Sequence, residues 1–211
     1  MKLFSVDRRG FYVEGSNLEL TPNQPVTPGV LEHIDAMQPD GYSWHGLQYY
    51  RNPPAPEVAQ DAPMRFLGAA DQALEVGNVA QARQFLNFLR AAMSHSRSEM
   101  LDLLLERTRE AHFPDRPSRY RSVFAVETLE EALAFRASYG KPEHPVYELE
   151  PLGKTHRGDM SVYTHATPVS VATLDHLMHL YWRGETLIMP NYKTQWEHVL
   201  ELPVAVVKKV A

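Results

Sequence analysis

The chain has 211 residues, of which 44% are hydrophobic and 22% charged, a composition typical of one globular domain. It contains no cysteine, which excludes a disulfide scaffold, a thiolate metal site and a cysteine nucleophile. The formal net charge of -5 gives no bulk attraction for polyanions. No apolar run approaches the roughly 18 residues of a membrane span, and residues 1–9 lack the apolar core of a signal peptide. We therefore expect a cytoplasmic protein without membrane contact.

The N-terminal part of the sequence combines short apolar runs with many prolines. Residues 3–6 and 11–13 are apolar and are separated by glycine, which predicts a strand or a loose hairpin. Eight of the 16 prolines lie between Pro22 and Pro63. Because proline lacks an amide donor, residues 16–63 are predicted to be mainly an irregular loop region, with one helix around residues 29–37.

The middle of the chain is predicted to be helical. Residues 63–76 and 79–112 repeat apolar side chains at spacings of three and four, as an amphipathic helix does. The pattern weakens at residues 94–98, which suggests a break between two helices. Together these residues form a predicted helical insert, 63–112, within a single domain spanning residues 1–211.

Arginine is concentrated in and just after this insert. Eight of the 15 arginines fall between Arg83 and Arg121. The same stretch carries five acidic residues, Glu99, Asp102, Glu106, Glu110 and Asp115. The simplest interpretation is a solvated helix face with ion pairs. The alternative is a surface that binds a macromolecule, including nucleic acid.

The C-terminal half is predicted to be richer in strands. A capping box, Thr128 with Glu131, begins a helix that ends near residue 140, and Ser170 caps a second helix that Gly184 ends. Strands are predicted at 121–126, 145–152, 161–165, 185–189 and 197–207, the last of these as a strand pair or a bent strand. Strands that do not alternate with helices and glycine turns favour an α+β fold over a doubly wound sheet.

Common site motifs are absent from the sequence. There is no G-x-G-x-x-G, no P-loop, no G-x-S-x-G elbow and no H-E-x-x-H. His176 and His179 lie three apart on a predicted helix, and a metal there needs a third ligand such as His165 or Asp159. Surface or partly buried histidines explain the pair as well, so no metal is expected.

Two segments carry more information together than apart. In the first, Ser122 begins an apolar strand that leads through the capping box into an alanine-rich helix. In the second, Gln195 and Glu197 stand at the start of a valine-rich strand pair. Because they are two residues apart, their side chains share one face of the strand.

The order of these segments resembles the core of the ADP-ribosyltransferase superfamily, which binds NAD in a cleft between two sheets. Gln195-x-Glu197 is similar to the superfamily's late Glu/Gln-x-Glu motif, although His198 is inserted before the usual Val-Leu. The whole chain also resembles a poorly characterised bacterial and phage family of that superfamily. The residues that carry this resemblance precede Glu197 and are Pro117-Ser118-Arg119, Tyr147-Glu148, Asp159-Met160 and Tyr181-Trp182-x-Gly184. The resemblance implies a split two-sheet core with a helical insert, NAD as a substrate, and no metal.

The resemblance also implies roles for individual residues. Glu197 stabilises the positive charge that develops on ribose when the nicotinamide bond breaks, and Gln195 orients the acceptor. Arg8 or Arg119 binds the pyrophosphate through its guanidinium fork. Ser122 contacts the ribose or supports Glu197. The remaining expectations are a stacking ring for nicotinamide, from Tyr120, Tyr181 or Trp182, and a first-strand NAD ligand, for which Arg9 and His45 are alternatives to Arg8.

The sequence leaves three functions open. The first is mono-ADP-ribosylation of a protein or nucleic acid, for which the resemblance implies a toxin or phage–host role, with an antitoxin or host target as partner. The second is an inactive binding or inhibitory module of the same fold, favoured by the inserted His198. The third is a helical interaction protein, which predicts no cleft and a large exposed apolar stripe on residues 79–112.

Overall fold

The computed structural model describes residues 1–22, 38–48, 62–164 and 170–211, with the backbone alone at 62–64, 91–97 and 163–164. The helices are α1 (Trp44–Gly46), α2 (Ala62–Glu75), α3 (Val79–His112), α4 (Leu129–Tyr139), α5 (Ser161–Thr164) and α6 (Val171–Arg183). The strands are β1 (Leu3–Val6), β2 (Asn17–Leu18), β3 (Ser122–Ala125), β4 (Val146–Pro151), β5 (Thr155–Asp159), β6 (Trp196–Glu201) and β7 (Val204–Lys209). A 3-10 turn, Arg119–Arg121, leads directly into β3.

The strands form two antiparallel sheets. The first has the order β1-β4-β7-β2, and the second has the order β3-β6-β5. The sheets meet at one edge, where Phe4 and Val126 exchange two backbone hydrogen bonds of 2.9 and 2.8 Å. The predicted α+β class is therefore confirmed, with two antiparallel sheets.

A hydrophobic core joins the two sheets. It takes Leu3, Leu149 and Val206 from the first sheet and Ala125 and Leu200 from the second. These side chains are almost completely buried, and burial of each large aliphatic group contributes about 1.5–3 kcal/mol. The packing of side chains from both sheets holds β1 and β6 in fixed relative positions. This matters because both strands contribute to the candidate site.

Helix α6 and the C-terminal half of α3 form a second core against the second sheet. Leu105 of α3 packs with Met178 and Trp182 of α6 and with Val199 of β6. The indole Nε1 of Trp182 donates a 2.8 Å hydrogen bond to the Leu105 carbonyl oxygen. The long helix is thus fixed to the sheet that carries Glu197.

The segment around α1 docks on the 3-10 turn. Both the amide and the hydroxyl of Ser43 donate to the Tyr120 carbonyl oxygen, at 2.8 and 3.0 Å. Gly46 allows this approach, since a Cβ there would lie 2.2 Å from the same carbonyl oxygen. This docking brings His45 beside the start of β3.

Several predicted elements are confirmed. The first strand, the two helices of the insert, the capped helix α4 and the final strand pair all form where expected. The capping box is complete, because Thr128 accepts from the Glu131 amide while the Glu131 carboxylate accepts from the Thr128 amide. Ser170 caps α6, and Gly184 ends it in the left-handed conformation.

Other expectations are wrong. Residues 11–13 and 185–189 are not strands, and residues 161–164 form helical turn α5 while the strand lies just before them, at Thr155–Asp159. The expected break at 94–98 is absent, because the backbone of α3 is helical throughout. The helix predicted around residues 29–37 lies outside the described residues. Within the described chain, no helix combines the length and apolar character that crossing a bilayer requires.

Candidate active site between the two sheets

A cleft of about 530 Å³ opens where β1 of the first sheet meets β3 and β6 of the second. This volume lies within the range of about 300–1,000 Å³ that is usual for small-molecule sites. The cleft collects side chains from distant parts of the sequence, namely residues 4–12, 44–45, 98–105, 119–126, 132–139, 160 and 195–197. Among them are Arg8, Arg119, Ser122, Gln195 and Glu197, which the sequence singled out.

Glu197 is the carboxylate at the centre of this group. It is only 7% exposed, and its Oε1 accepts hydrogen bonds from Arg119 Nη1 at 2.7 Å and from the Tyr181 hydroxyl at 2.8 Å. Its neighbour on β5 is Gly158, and the Tyr181 ring occupies the space that a Cβ of Gly158 would take. The strand pairing therefore determines how Tyr181 reaches the carboxylate.

Arg119 links Glu197 to the long helix α3. Its Nε donates to Asp102 Oδ1 at 2.6 Å, while Nη1 donates to both Glu197 and the Tyr181 hydroxyl, the latter at 2.6 Å. The guanidinium also lies 4.5 Å from the centre of the Phe124 ring. Buried in this way, Arg119 holds the carboxylate in place.

Asp102 extends the chain of contacts to α1. Its Oδ2 lies 3.1 Å from His45 Nε2, and its Oδ1 bonds Arg119. Burial alone would raise the pKa of Asp102, but the charges of Arg119 and His45 outweigh burial and hold this pKa well below its usual range. The carboxylate of Asp102 is therefore ionised across the physiological pH range.

Gln195 lines the cleft together with Glu197, and hydrogen bonds to the Asp159 carboxylate fix its position. The Gln195 amide donates to Asp159 Oδ1 at 3.0 Å, while the hydroxyls of Thr186 and Tyr192 donate to Asp159 Oδ2, both at 2.6 Å. Burial and the Asp159 carboxylate raise the pKa of the Tyr192 hydroxyl well above its usual value. These bonds fix the segment that leads into β6, so the Gln195 side chain enters the cleft half-buried.

The three residues expected from the N-terminal side all line the cleft. Arg8 is exposed, lies 5.5 Å from the Phe135 ring centre and donates to the Tyr139 carbonyl oxygen at 3.3 Å. Arg9, also exposed, lies 5.0 Å from the Trp44 ring centre and donates to the Gln48 side chain. His45 instead contacts Asp102, so the two arginines are the residues that present positive charge at the rim.

Ser122 lines the cleft, whereas the tyrosine rings are not presented to it. Ser122 is fully buried and donates to the Ser118 carbonyl oxygen at 2.6 Å. Tyr120 packs with Tyr42 and Leu47, away from the cleft. Tyr181 is also completely buried, and its hydroxyl supports Glu197, so neither tyrosine ring is presented to a ligand in the cleft. Trp182 is buried in the core beside α3.

The sequence did not indicate two acidic residues that support Arg119: Asp102, which lines the cleft, and Glu106. They were expected on a solvated helix face, but both are buried; Asp102 bonds Arg119, and Glu106 bonds Arg109 and the Arg119 amide. The sequence does contain an indication of this burial. Asp102 and Glu106 are four residues apart, which places them on one side of α3 beside the buried Leu105. An acidic pair at the edge of an apolar stripe indicates buried cationic partners.

The histidines on α6 do not form a metal site in the described part of the chain. His179 packs against His112 and Phe113 and lies near Asp175. No group of three or more histidine or acidic ligands occurs among the described residues. His165, one of the two expected third ligands, lies outside the described residues. The other, Asp159, instead accepts hydrogen bonds from Thr186, Tyr192 and the Gln195 amide.

The fold and cleft define an α+β protein with a buried carboxylate between two antiparallel sheets. The chain belongs to the family DUF2441, a family of proteins of unknown function, whose model matches residues 60–211. The match includes Arg119, Ser122 and Glu197 but not Arg8 or His45. No curated protein matches the chain.

Proposed function

We propose that this protein is an ADP-ribosyltransferase that binds NAD in the cleft and transfers ADP-ribose to a protein or nucleic-acid acceptor. The observation that carries the proposal is the meeting of Glu197, Gln195 and Arg8 in one cleft, although Arg8 lies more than 180 residues from the other two. The resemblance at the sequence level supports the same chemistry. The proposal needs neither a metal nor a thiol.

The reaction breaks one bond and forms another. The carbon–nitrogen bond between ribose and nicotinamide breaks, and its electron pair leaves with the nicotinamide ring nitrogen. The acceptor nucleophile then bonds the anomeric carbon and loses a proton. Positive charge develops on the ribose in between, and the Glu197 carboxylate stabilises that charge.

The other residues hold the reactants. Arg8 is the exposed cation at the rim and pairs with a pyrophosphate oxygen. Gln195, on the same strand face as Glu197, hydrogen-bonds the acceptor. Arg119 and Tyr181 act through Glu197, because both donate to its Oε1. They are positioning residues.

Nicotinamide release from NAD, with cell lysate as the source of acceptor, tests the activity. Glu197→Gln should lower the rate by about 10²–10³-fold, since it removes the charge that stabilises the transition state. Glu150→Gln, which changes an exposed glutamate of β4, is the matched control and should be as active as the wild type. Equal rates for the wild type and Glu197→Gln would refute the assignment.

Gln195→Ala separates transfer from hydrolysis. If Gln195 orients the acceptor, the variant should release nicotinamide to water while labelling of the acceptor falls by about tenfold or more. A parallel loss of both activities would instead place Gln195 in NAD binding.

The Glu197–Arg119 ion pair favours a second candidate, an inactive NAD-binding module. Because a buried guanidinium already neutralises the Glu197 carboxylate, that carboxylate stabilises a positively charged ribose less strongly. That candidate predicts that NAD binds and that no nicotinamide is released with any acceptor. A helical interaction protein is less consistent with the structure, because it predicts no cleft.

A further inference from the structure

A second pocket lies at the opposite end of β6 from the cleft. It has a volume of about 210 Å³ and is bounded by the C-terminal end of α3, the turn before β3 and the β4–β5 turn. Its lining residues are Gln38, Arg109, Glu110, Pro114, Arg116, Ser118, Arg121, Lys154 and Glu201. Glu201 is four residues after Glu197 along β6, or about 13 Å. Ser118 and Arg121 of the pocket are chain neighbours of Arg119 and Ser122 of the cleft, so the two sites are adjacent but share no lining residue.

Positive charge predominates in this pocket. Arg109, Arg116, Arg121 and Lys154 face two lining carboxylates, those of Glu110 and Glu201. Some of this charge is already matched: Arg109 pairs with Glu106 at 2.9 Å, and Arg107 pairs with Glu110 at 2.8 Å. Arg121 pairs with Asp40, a mostly exposed residue, at 3.0 Å.

Two cations of the pocket have no acidic partner among the described residues. Within the described ranges, neither the Arg116 guanidinium nor the Lys154 ammonium has a carboxylate at ion-pair distance. Both side chains are exposed at the pocket. Their charges therefore converge on the same space, where the Glu201 carboxylate offsets part of them without an ion pair to either among the described residues.

Arg121 adds a third cation at the wall of the pocket. Its Nη1 pairs with Asp40, whereas its Nε is buried and has no hydrogen-bond partner among the described residues. The part of the guanidinium that remains accessible lies beside Arg116 and Lys154 at the same pocket.

We propose that this pocket binds a phosphate group. A phosphate near neutral pH carries a charge of roughly -1.5 to -2 and offers three strong acceptor oxygens. Two of those oxygens suit the planar forks of Arg116 and Arg121, and Lys154 adds a point charge. A monovalent carboxylate matches neither the charge nor the number of donors. The site is separate from the NAD cleft and does not depend on the proposed transferase activity.

Calorimetric titration with inorganic phosphate at constant ionic strength tests the site. The wild type should bind one phosphate with a dissociation constant below about 1 mM, and acetate should bind at least tenfold more weakly. Arg116→Gln and Lys154→Gln should each weaken phosphate binding at least fivefold. Both residues are exposed, so these variants should fold normally.

Matched controls separate this pocket from general charge effects and from the cleft. Arg90→Gln changes an arginine of α3 outside both sites, and Arg8→Gln changes the rim of the cleft; neither should alter phosphate binding. Arg121→Lys keeps the charge but removes the planar guanidinium fork, and it should weaken binding. Undetectable phosphate binding, or equal affinity in all of these variants, would overturn the proposal.

A nucleoside 5′-monophosphate and its nucleoside identify the source of the phosphate. Tighter binding of the monophosphate than of inorganic phosphate, lost in Lys154→Gln, supports a site for phosphorylated nucleosides. Equal binding of the two supports a site for free phosphate. Binding of the nucleoside as tight as that of the monophosphate would contradict phosphate recognition altogether.

Discussion

At the scale of single residues, Arg119 is the centre of the candidate active site. A buried guanidinium is costly unless carboxylates neutralise it and hydrogen bonds satisfy its donors. Asp102 and Glu197 provide the charges, and the Tyr181 hydroxyl accepts a further bond. Because these partners come from α3, α6 and β6, the position of Glu197 depends on all three elements.

Tyr181→Phe tests the hydroxyl that joins Arg119 and Glu197. The variant leaves the ring in place but removes one donor to Glu197 and one acceptor for Arg119, which should lower the free energy of unfolding by about 1–3 kcal/mol. Urea denaturation measures this change. Tyr147→Phe, whose hydroxyl has no hydrogen bond within the described residues, is the control and should change stability by less than about 0.5 kcal/mol. Equal losses in both variants would argue against the network.

His156 predicts a specific pH dependence of stability. Burial lowers the pKa of His156 from its ordinary value of 6.5 to about 4. The hydrogen bond to the Tyr181 carbonyl oxygen raises this pKa, but by less than burial lowers it. The folded protein therefore holds a neutral imidazole while the unfolded chain takes up a proton below about pH 6.5. The free energy of unfolding should fall by about 2 kcal/mol between pH 7 and pH 5 and continue to fall until about pH 4.

His156→Gln removes this titration while keeping an N–H donor for the Tyr181 carbonyl oxygen. The dependence on pH between 7 and 5 should become markedly flatter, as measured by denaturation at each pH. His112→Gln, an exposed histidine, should retain the wild-type slope. An unchanged slope in His156→Gln would show that other groups are responsible.

The sequence predicts part of the site at this scale. Glu197 and Gln195 were identified from their spacing at the start of a strand, and that spacing does place both in the cleft. The sequence cannot show that Arg119 is buried or that its partner is Asp102, because their proximity depends on how α3 packs against β3. Burial likewise explains why Tyr181 stands behind the carboxylate and not in the cleft.

At the scale of elements, β5 and α6 approach each other closely beside the site. A Cβ added to Gly158 would lie 2.3 Å from the buried ring of Tyr181. Gly158→Ala should therefore displace the ring, lower the free energy of unfolding by about 1–3 kcal/mol and reduce the proposed activity. Gly153→Ala is the matched control, because its Cβ would make only ordinary contacts, the nearest at 3.5 Å. Equal stability of the two variants, measured by thermal unfolding, would contradict this packing.

Elements with strong local signals were predicted correctly. Helix α4 has a complete capping box, and α6 has both a serine cap and a glycine stop, so their ends are determined by nearby residues. Residues 161–164 were wrongly predicted as a strand because a short run of valine, tyrosine and threonine has strand propensity. The true strand β5 is more polar, and its pairing with β6 stabilises it.

At the scale of the whole molecule, the cleft depends on two sheets that meet at one edge. The sequence indicated an α+β fold, but strand order is a long-range property. Pairing of β1 with β4, whose partners are 140 to 146 residues apart, has no local signal. The region outside the family match contributes β1, Arg8 just after it, and α1 with His45. One wall of the cleft therefore lies outside the matched residues.

Calorimetric titration with NAD tests the central claim, that this cleft is an NAD site, most directly. We predict that the wild type binds one NAD, that Glu197→Gln still binds it, and that Arg8→Gln binds it at least fivefold more weakly through loss of a charged hydrogen bond. Arg90→Gln should bind as the wild type does. Absence of NAD binding by the folded wild type, or affinity that Arg8→Gln leaves unchanged, would contradict the account.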